Sequence, residues 1–258
     1  MSDLDVKLTL IGGPTLLIEL AGARFLTDPT FDAPGRYESA GIVLEKQRGP
    51  AISAEAVGAV DAVLLSHDQH YDNFDHAGRA FLAKAKNTFT TQAGAARLGK
   101  SVTGLSPWET VGIASQSGNR LHVTATPARH GPPGIEPMSG DVTGFALGID
   151  QPGNAVYITG DTVWYDGVAE IARRYKPRLV VVFSGSAKPR GPFHMTMDSN
   201  DVLETAHAFP QAKIVAIHND GWGHFTETEA DLVKSFSVFG IALRLQTLEL
   251  GKTAALAI

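Results

Sequence analysis

The stretch Ser66-His67-Asp68-Gln69-His70-Tyr71-Asp72-Asn73 gathers imidazoles and carboxylates into one short loop, directly after the apolar run Asp61-Ala62-Val63-Leu64-Leu65. A strand over 61–65 would deliver these side chains to one small volume at its end. Neutral imidazole nitrogen and carboxylate oxygen are the donors that borderline divalent cations take. Two histidines this close also occur in chains that bind no metal, so the loop alone decides nothing. Further candidates sit just past separate apolar runs: His130 after 121–126, Asp161 after 155–159 and a glycine, His218 directly after 213–217. In layered α/β folds, side chains at one set of strand ends converge on a cleft, because the sheet is rigid while its loops vary. The chemistry such a set points to is hydrolysis. A bound divalent cation lowers the pKa of coordinated water from ~15.7 toward ~7, which supplies hydroxide without an ionised side-chain nucleophile.

The elements that must position these residues follow from pattern. Apolar runs predict strands at 6–11, 16–20, 25–29 and 61–65, then at 121–126, 143–149, 155–159, 179–183, 214–217 and 243–248. Helices are predicted at 75–85, 92–98, 166–175, 199–209 and 227–239, so strand-rich sequence gives way to α/β alternation. Thr226 and Glu229 have the spacing of a capping box at the start of the last helix, and Leu232, Val233, Phe236 and Phe239 form its core-facing stripe. Residues 31–52 carry Pro34, Gly35, Gly41, Gly49 and Pro50 with few apolar repeats and read as a long loop, either a surface connection or a cover for the site.

Composition bounds the rest. A chain of 258 residues with 43% hydrophobic content can build one large domain, 1–258, with a sizeable core. Its formal charge of -5 and the lack of a concentrated Lys/Arg run argue against nucleic acid as a partner. The absence of cysteine removes disulfides, thiolate ligands and a cysteine nucleophile together, leaving His, Asp and Glu as donors. The opening Met1-Ser-Asp-Leu-Asp-Val-Lys7 has no basic segment followed by an apolar one, and no apolar run approaches the ~20 residues of a membrane span. The expectation is a cytoplasmic enzyme acting on a small molecule, with no membrane partner and with self-association into a homo-oligomer left open.

The order of the motifs resembles the metallo-β-lactamase-fold hydrolases. In that superfamily a His-x-His-x-Asp-His loop follows a strand, and a lone His, a Gly-Asp after a strand and a final His come later in that order. The matching residues here are His67, His70, Asp72, His130, Gly160-Asp161 and His218. The opening segments 6–11, 16–20 and 25–29 are similar to the branch that includes the ascorbate-phosphate lactonases and many uncharacterised metal-dependent hydrolases. The resemblance spans nearly the whole chain and implies an α/β protein built as a four-layer αββα sandwich. It also implies a divalent metal cofactor, zinc with manganese or iron as alternatives, bound as one or two ions. His67, His70 and His130 would hold the first ion, Asp72 and His218 would belong to a second, and Asp161 would bridge them. Asp72 would in addition accept a proton from water and return it to the leaving group.

Two departures from that pattern stand out. The first two histidines are one residue further apart than usual, so either Gln69 bulges and His67 is the ligand, or Asp68 takes its place; His67 is the preferred reading. Asn73 stands where the family has a histidine of the second position, and an amide oxygen is a much weaker ligand for zinc-like ions. Simple alternatives remain for single residues: Asp161 as an Asx-turn at a strand end, His130 as an ordinary loop histidine, His224 competing with His218 or lining the pocket. His194, just before a helix, is read as a catalytic residue of the pocket, with helix capping as its alternative. His76, His122 and His207 read as structural. Lys188 and Arg190 could bind a phosphate or carboxylate or simply be solvated, and Trp164, Tyr165 and Trp222 could wall the pocket or pack beneath it. The favoured function is metal-dependent hydrolysis of a small ester, lactone, amide or phosphodiester. A non-catalytic metal-binding or ligand-sensing relative and an iron-dependent oxidoreductase on the same fold are the competing ones.

Overall fold

A computed structural model describes residues 4–39, 41–115 and 118–258. The chain begins with an antiparallel meander, β1 (Asp5–Gly12), β2 (Thr15–Leu20) and β3 (Ala23–Thr27), followed by a hairpin of β4 (Gly35–Ser39) and β5 (Ile42–Lys46). After α1 (Ala54–Val57), the fully buried β6 (Val60–Leu64) runs into the histidine loop. Then come α2 (His76–Phe81), β7 (Ala85–Thr91), α3 (Gln92–Leu98) and β8 (Thr103–Leu105). The second half holds β9 (Thr110–Ala114), β10 (Arg120–Pro127), α4 (Glu136–Ser139), β11 (Thr143–Gly148) and β12 (Val156–Ile158). It continues through α5 (Asp166–Arg174), β13 (Leu179–Phe183), α6 (Ser199–Ala208) and β14 (Lys213–Ile217). Last come α7 (Glu229–Val238), β15 (Leu245–Gln246) and β16 (Thr253–Ala257).

Among the described residues these strands form two seven-stranded sheets, ordered β16-β1-β2-β3-β6-β7-β8 and β15-β14-β13-β12-β11-β10-β9. Alternation along each strand decides what each face meets. Val6, Leu8, Phe25 and Leu64 of the first sheet pack against Val123, Phe145, Val181 and Phe183 of the second in the central core. The intervening positions face outward: Val180 and Val182 meet Val168, Val202 and Phe236 of α5, α6 and α7, while Leu26 and Val63 meet Phe74 and Phe81 around α2. Two sheets face to face with helices outside each are the expected four layers, because a sheet that is apolar on both faces must be covered on both. Among the described residues no helix is long and apolar enough to cross a membrane.

Strand direction sets where the chemistry can sit. β3 pairs in parallel with β6, β12 with β13, and β13 with β14, while β10 and β12 both run antiparallel to β11. The C-terminal ends of β10, β12 and β14 therefore lie at one edge of their sheet, and those of β3 and β6 at one edge of the other. At these ends stand His130, Asp161, His218, Asp28 and His67.

Several expected elements differ. The 31–52 segment contains the β4–β5 hairpin, which lies outside both sheets and buries Leu44 and Lys46 alternately while its other face stays wet. Buried Lys46 pairs with buried Asp75 at 3.0 Å, and Asp75 also accepts from the Phe31, Asp32 and Gly78 backbone N–H groups. The helix expected over 75–85 ends at Phe81 and continues as a 3-10 turn over 82–84. The capping box of α7 uses Thr228 and Asp231 rather than Thr226 and Glu229, because the Thr226 hydroxyl is taken by the Ser186 carbonyl at 2.7 Å. Of the α7 stripe, Leu232 and Phe236 are buried, whereas Val233 and Phe239 are exposed. The strand expected over 243–248 shrinks to Leu245–Gln246, since 242–244 form a 3-10 turn and Leu243 lies in solvent.

The glycine before Asp161 is required sterically. Gly160 has φ +61°, and a Cβ there would lie 2.6 Å from the Thr143 carbonyl oxygen and 2.9 Å from Ser66 Cβ. Gly240 has a similar φ of +69° with nothing within 4 Å of such a Cβ. Gly240→Ala should cost about 1 kcal/mol, the left-handed strain alone, and Gly160→Ala about 3 kcal/mol once overpacking is added. Urea midpoints of the two variants measure the difference; equal losses would show that the Gly160 contact relaxes freely.

Candidate metal centre

The loop after β6 is shaped by its own backbone. Asn73 and Phe74 donate to the His70 carbonyl at 3.2 and 2.9 Å, and the Arg79 guanidinium donates to the Asp68 carbonyl at 2.7 Å. The extra residue between the histidines is accommodated outward. Gln69 lies over Gly140, whose φ is +76° and where any Cβ would collide with the amide. The Asp68 carboxylate is turned away and gripped by Arg97 Nε at 2.9 and 3.2 Å. Between His67 and Asp68, the histidine is the one that faces His70 and His130.

His67 and His70 meet edge to face, and His130 is tilted against both. His67 Nε2 lies 3.0 Å and His130 Nε2 3.3 Å from His70 Nδ1, and one ring nitrogen from each of the three lies within 4.8 Å of the others. Their tautomers follow from their outer partners. His130 Nδ1 sits 2.7 Å from the Met195 carbonyl, an acceptor only, so Nδ1 carries the proton and Nε2 presents a lone pair. The Ser66 hydroxyl donates to Asp28 Oδ1 at 3.0 Å and so accepts from His67 Nδ1 at 2.9 Å, again leaving Nε2 as a lone pair. Two lone pairs thus aim at one nitrogen of His70, whose other ring nitrogen, Nε2, is buried without a hydrogen-bond partner. A proton between them satisfies one pair at most, whereas a cation satisfies all three.

The carboxylates stand on the other side. Asp161 Oδ2 is 3.4 Å from His130 Nε2, and its Oδ1 is 3.4 Å from His218 Nε2 and accepts from Asn73 Nδ2 at 3.2 Å. Asp72 Oδ2 lies 3.7 Å from His218 Nε2 and 2.9 Å from His224 Nε2, while Asp72 Oδ1 is buried without a partner. His218 holds φ +58°, a conformation that costs a β-carbon residue energy and recurs where function requires it. Its backbone N–H donates to the Gly13 carbonyl at 3.0 Å, which fixes the ring beside Asp161.

Burial sets the protonation states. It pushes His67 well below its usual value and His70 down to about 4, each aided by a neighbouring imidazole, so both rings are neutral at pH 7. Burial opposes ionisation of Asp72, but His224 and His218 outweigh it and hold the carboxyl far below the usual range. At Asp161 burial is likewise outweighed, by His218 and His130. His218 is moved the other way, burial lowering it and Asp161 and Asp72 raising it further. Asp28 is raised well above the ordinary carboxyl value, by burial first and then by Asp161 and Asp72. Ionised buried carboxylates beside neutral imidazoles are a donor set that fits a divalent cation.

The sequence-expected residues His67, His70, Asp72, His130, Asp161 and His218 are therefore brought together, with His224 beside Asp72. His194 is not among the residues lining the cavity here. Its Nε2 is 3.1 Å from Asp201 and its Nδ1 3.7 Å from Asp198, at the N-terminus of α6, the helix-end role rather than the pocket one. His76 pairs at the surface with Asp32. Of the aromatic residues that could wall the pocket or pack beneath it, Tyr165 stacks under Arg129, Trp164 packs beside the outer core of α5 to α7, and Trp222 packs against Lys46 and Tyr37 with its ring 6.1 Å from that of His224. A narrow cleft over His70 and His130 is lined by Ile42, Leu44, Ala187, Pro189, Met195 and Arg190. Two residues that orient the site escaped the sequence reading, Asp28 and Ser66. Their signal was position alone, at the ends of the adjacent strands β3 and β6.

With this geometry the comparisons with known proteins agree. Residues 23–219 match the family model described as beta-lactamase superfamily domain. The chain belongs to this family. It is 28% identical over 243 residues to the UPF0173 protein YddR of Bacillus subtilis, covering 90% of this chain and 92% of that protein. The crystal structure of an isothiocyanate hydrolase from Delia radicum gut bacteria superposes with a TM-score of 0.81 at 26% identity, covering 98% of this chain and 100% of that one. A possible metal-dependent hydrolase from Veillonella parvula gives 0.79 at 20% identity, covering 97% and 99%. The two-sheet architecture is the metallo-β-lactamase fold of these structures.

Because Ser66 holds the His67 tautomer, Ser66→Ala should weaken zinc binding by ~10–100-fold with little loss of fold, as for outer partners of ligating histidines generally. Competition with a chromophoric chelator measures it; an unaltered affinity would remove Ser66 from the site.

Proposed function

We propose that the protein is a hydrolase that uses a divalent cation, zinc by the preference of a three-imidazole set, on a small organic ester, lactone, amide or phosphodiester. The observation that carries this reading is the convergence of His67 Nε2, His70 Nδ1 and His130 Nε2 beside the buried carboxylates of Asp72 and Asp161. His67, His70 and His130 would hold the ion, with Asp161 set between their side and that of His218. The cation, when bound, makes water acidic enough to attack near neutral pH and polarises the bond under attack.

The chain's own residues supply the rest. Asp72, ionised and with Oδ1 otherwise partnerless, accepts the proton released by water and returns it to the leaving group. The apolar side chains of Ile42, Leu44 and Met195 exclude bulk water from one side of the cleft, which strengthens every charge interaction inside it. Arg190 brings a guanidinium to the same wall, suited to a substrate carrying a carboxylate or phosphate. That isothiocyanate hydrolysis is named for a structural relative at 26% identity supports the reaction class, addition of water to an electrophilic carbon or phosphorus, and leaves this chain's substrate to be found.

Elemental analysis of purified protein together with a panel of chromogenic esters, lactones and phosphodiesters tests the reading. At least one ion per chain and turnover on one substrate class are expected. Asp72→Ala should lower kcat by ~10³-fold or more with the far-UV spectrum and Tm of the metal-free protein retained; Asp72→Asn, which keeps the volume, should do the same. Turnover unaffected by both substitutions, or by removal of the ion with a chelator, would refute the assignment.

A further inference from the structure

The second cation position lacks the ligand its family pattern would supply. Asn73 is wholly buried beside the site, yet its amide nitrogen donates to Asp161 Oδ1 at 3.2 Å, and its oxygen has no hydrogen-bond partner. A carboxylate oxygen can only accept, so Asn73 presents N–H towards Asp161, and what it keeps for a cation is its amide oxygen, a much weaker ligand than imidazole for zinc-like ions. Its part is to aim the Asp161 carboxylate. If nothing replaced the missing imidazole, Asp72, Asp161 and His218 would have to hold an ion alone.

We infer that His224, from the loop after β14, supplies through Nε2 the imidazole that position 73 does not, and completes a second cation site with Asp72, Asp161 and His218. Three observations carry this. His224 Nε2 lies 2.9 Å from Asp72 Oδ2 but is not aligned as a hydrogen bond, and neither ring nitrogen of His224 or of His218 has a hydrogen-bond partner. Buried polar atoms without partners are rare in native proteins, and here one nitrogen of each ring, His218 Nε2 at 3.4 Å from Asp161 and His224 Nε2 at 2.9 Å from Asp72, faces a buried carboxylate as the ligands of a shared cation would.

The second observation is how firmly His224 is held. The Gly223 N–H donates to the Glu45 carbonyl at 2.9 Å, and the His224 carbonyl accepts from the Lys188 N–H at 3.1 Å. Its ring rests on Phe225 at 4.6 Å, and Phe225 in turn meets His218 edge on at 4.9 Å. The third is that the β4–β5 hairpin and the residue after it hold the loop of His224. Lys46 pairs with Trp222 in an antiparallel bridge, and Gln47 N–H donates to the Gly221 carbonyl at 2.8 Å, so the hairpin clamps the loop that carries His224. A histidine held on both flanking peptides and aimed at a carboxylate is a prearranged ligand.

This inference rests on the metal-binding reading above, and the experiment separates the two. Metal-free protein, prepared with a chelator, is titrated with zinc alone and the bound ion counted by mass spectrometry and calorimetry. Wild type should bind two ions per chain. His224→Ala and the volume-keeping His224→Gln should keep the first and bind the second at least ~100-fold more weakly. Adding Asn73→His to His224→Ala places an imidazole at the family position and should restore the second ion. His207→Ala, remote on α6, should bind as wild type. One ion in the wild type, or two held with unaltered affinity in both His224 variants, overturns the inference and leaves the three-imidazole site standing. No ion in any form overturns both.

Discussion

The structure is organised around two buried carboxylates, Asp72 and Asp161, set among the imidazoles of His130, His218 and His224. Asp72 and Asp161 are both buried, both held ionised, and flanked by imidazoles of which His67 and His70 are held neutral by their surroundings. Taking a carboxylate out of water costs several kcal/mol even after relaxation, and nearby dipoles recover only part of it. A cation held at the meeting point of the imidazole lone pairs, as proposed here, would balance both the charge and the unmet acceptors. The remaining features of the site serve to keep those donors aimed at the same place.

Aim is achieved by building the donors on strand ends of two different sheets. His67 follows β6 of the first sheet, while His130, Asp161 and His218 follow β10, β12 and β14 of the second. The sheets are locked by a shared core that includes Phe25, Leu64, Phe145 and Phe183, so the two ligand groups cannot drift apart without opening it. Outer partners finish the alignment: Asp28 and Ser66 set His67, the Met195 carbonyl sets His130, and the strained backbone of His218 is tied to Gly13. The β4–β5 hairpin adds a third support, reaching from the buried Lys46–Asp75 pair to the loop of His224 and contributing Ile42 and Leu44 to the wall of the cleft.

Much of this was legible in the residue order. Short, β-branched apolar runs such as 179–183 favour strands buried on both faces, and a His or Asp directly after such a run stands at a strand end. The hairpin was not legible, because Gly35-Arg36-Tyr37-Glu38 and Glu45 are polar on the solvent side and the strands touch neither main sheet. Local spacing also misplaced the α7 cap, since Thr226 was already engaged by Ser186 from a distant loop. The choice between walling the pocket and packing beneath it, open for Trp164, Tyr165 and Trp222, was undecided for a similar reason: nearness along the chain to Asp161 and His218 does not decide which side of the backbone a ring takes.

The sequence by itself determined the α/β alternation and that imidazoles and carboxylates follow several of its apolar runs, because apolar periodicity and donor chemistry are properties of residue order. Only the tertiary structure decided that His67 rather than Asp68 faces the cluster, that Asn73 donates to Asp161, and that His224 stands against Asp72. Those choices depend on what else competes for each side chain. Arg97 for Asp68 and Ser66 for His67 come from other elements or from loop geometry, and no spacing along the chain encodes such contacts.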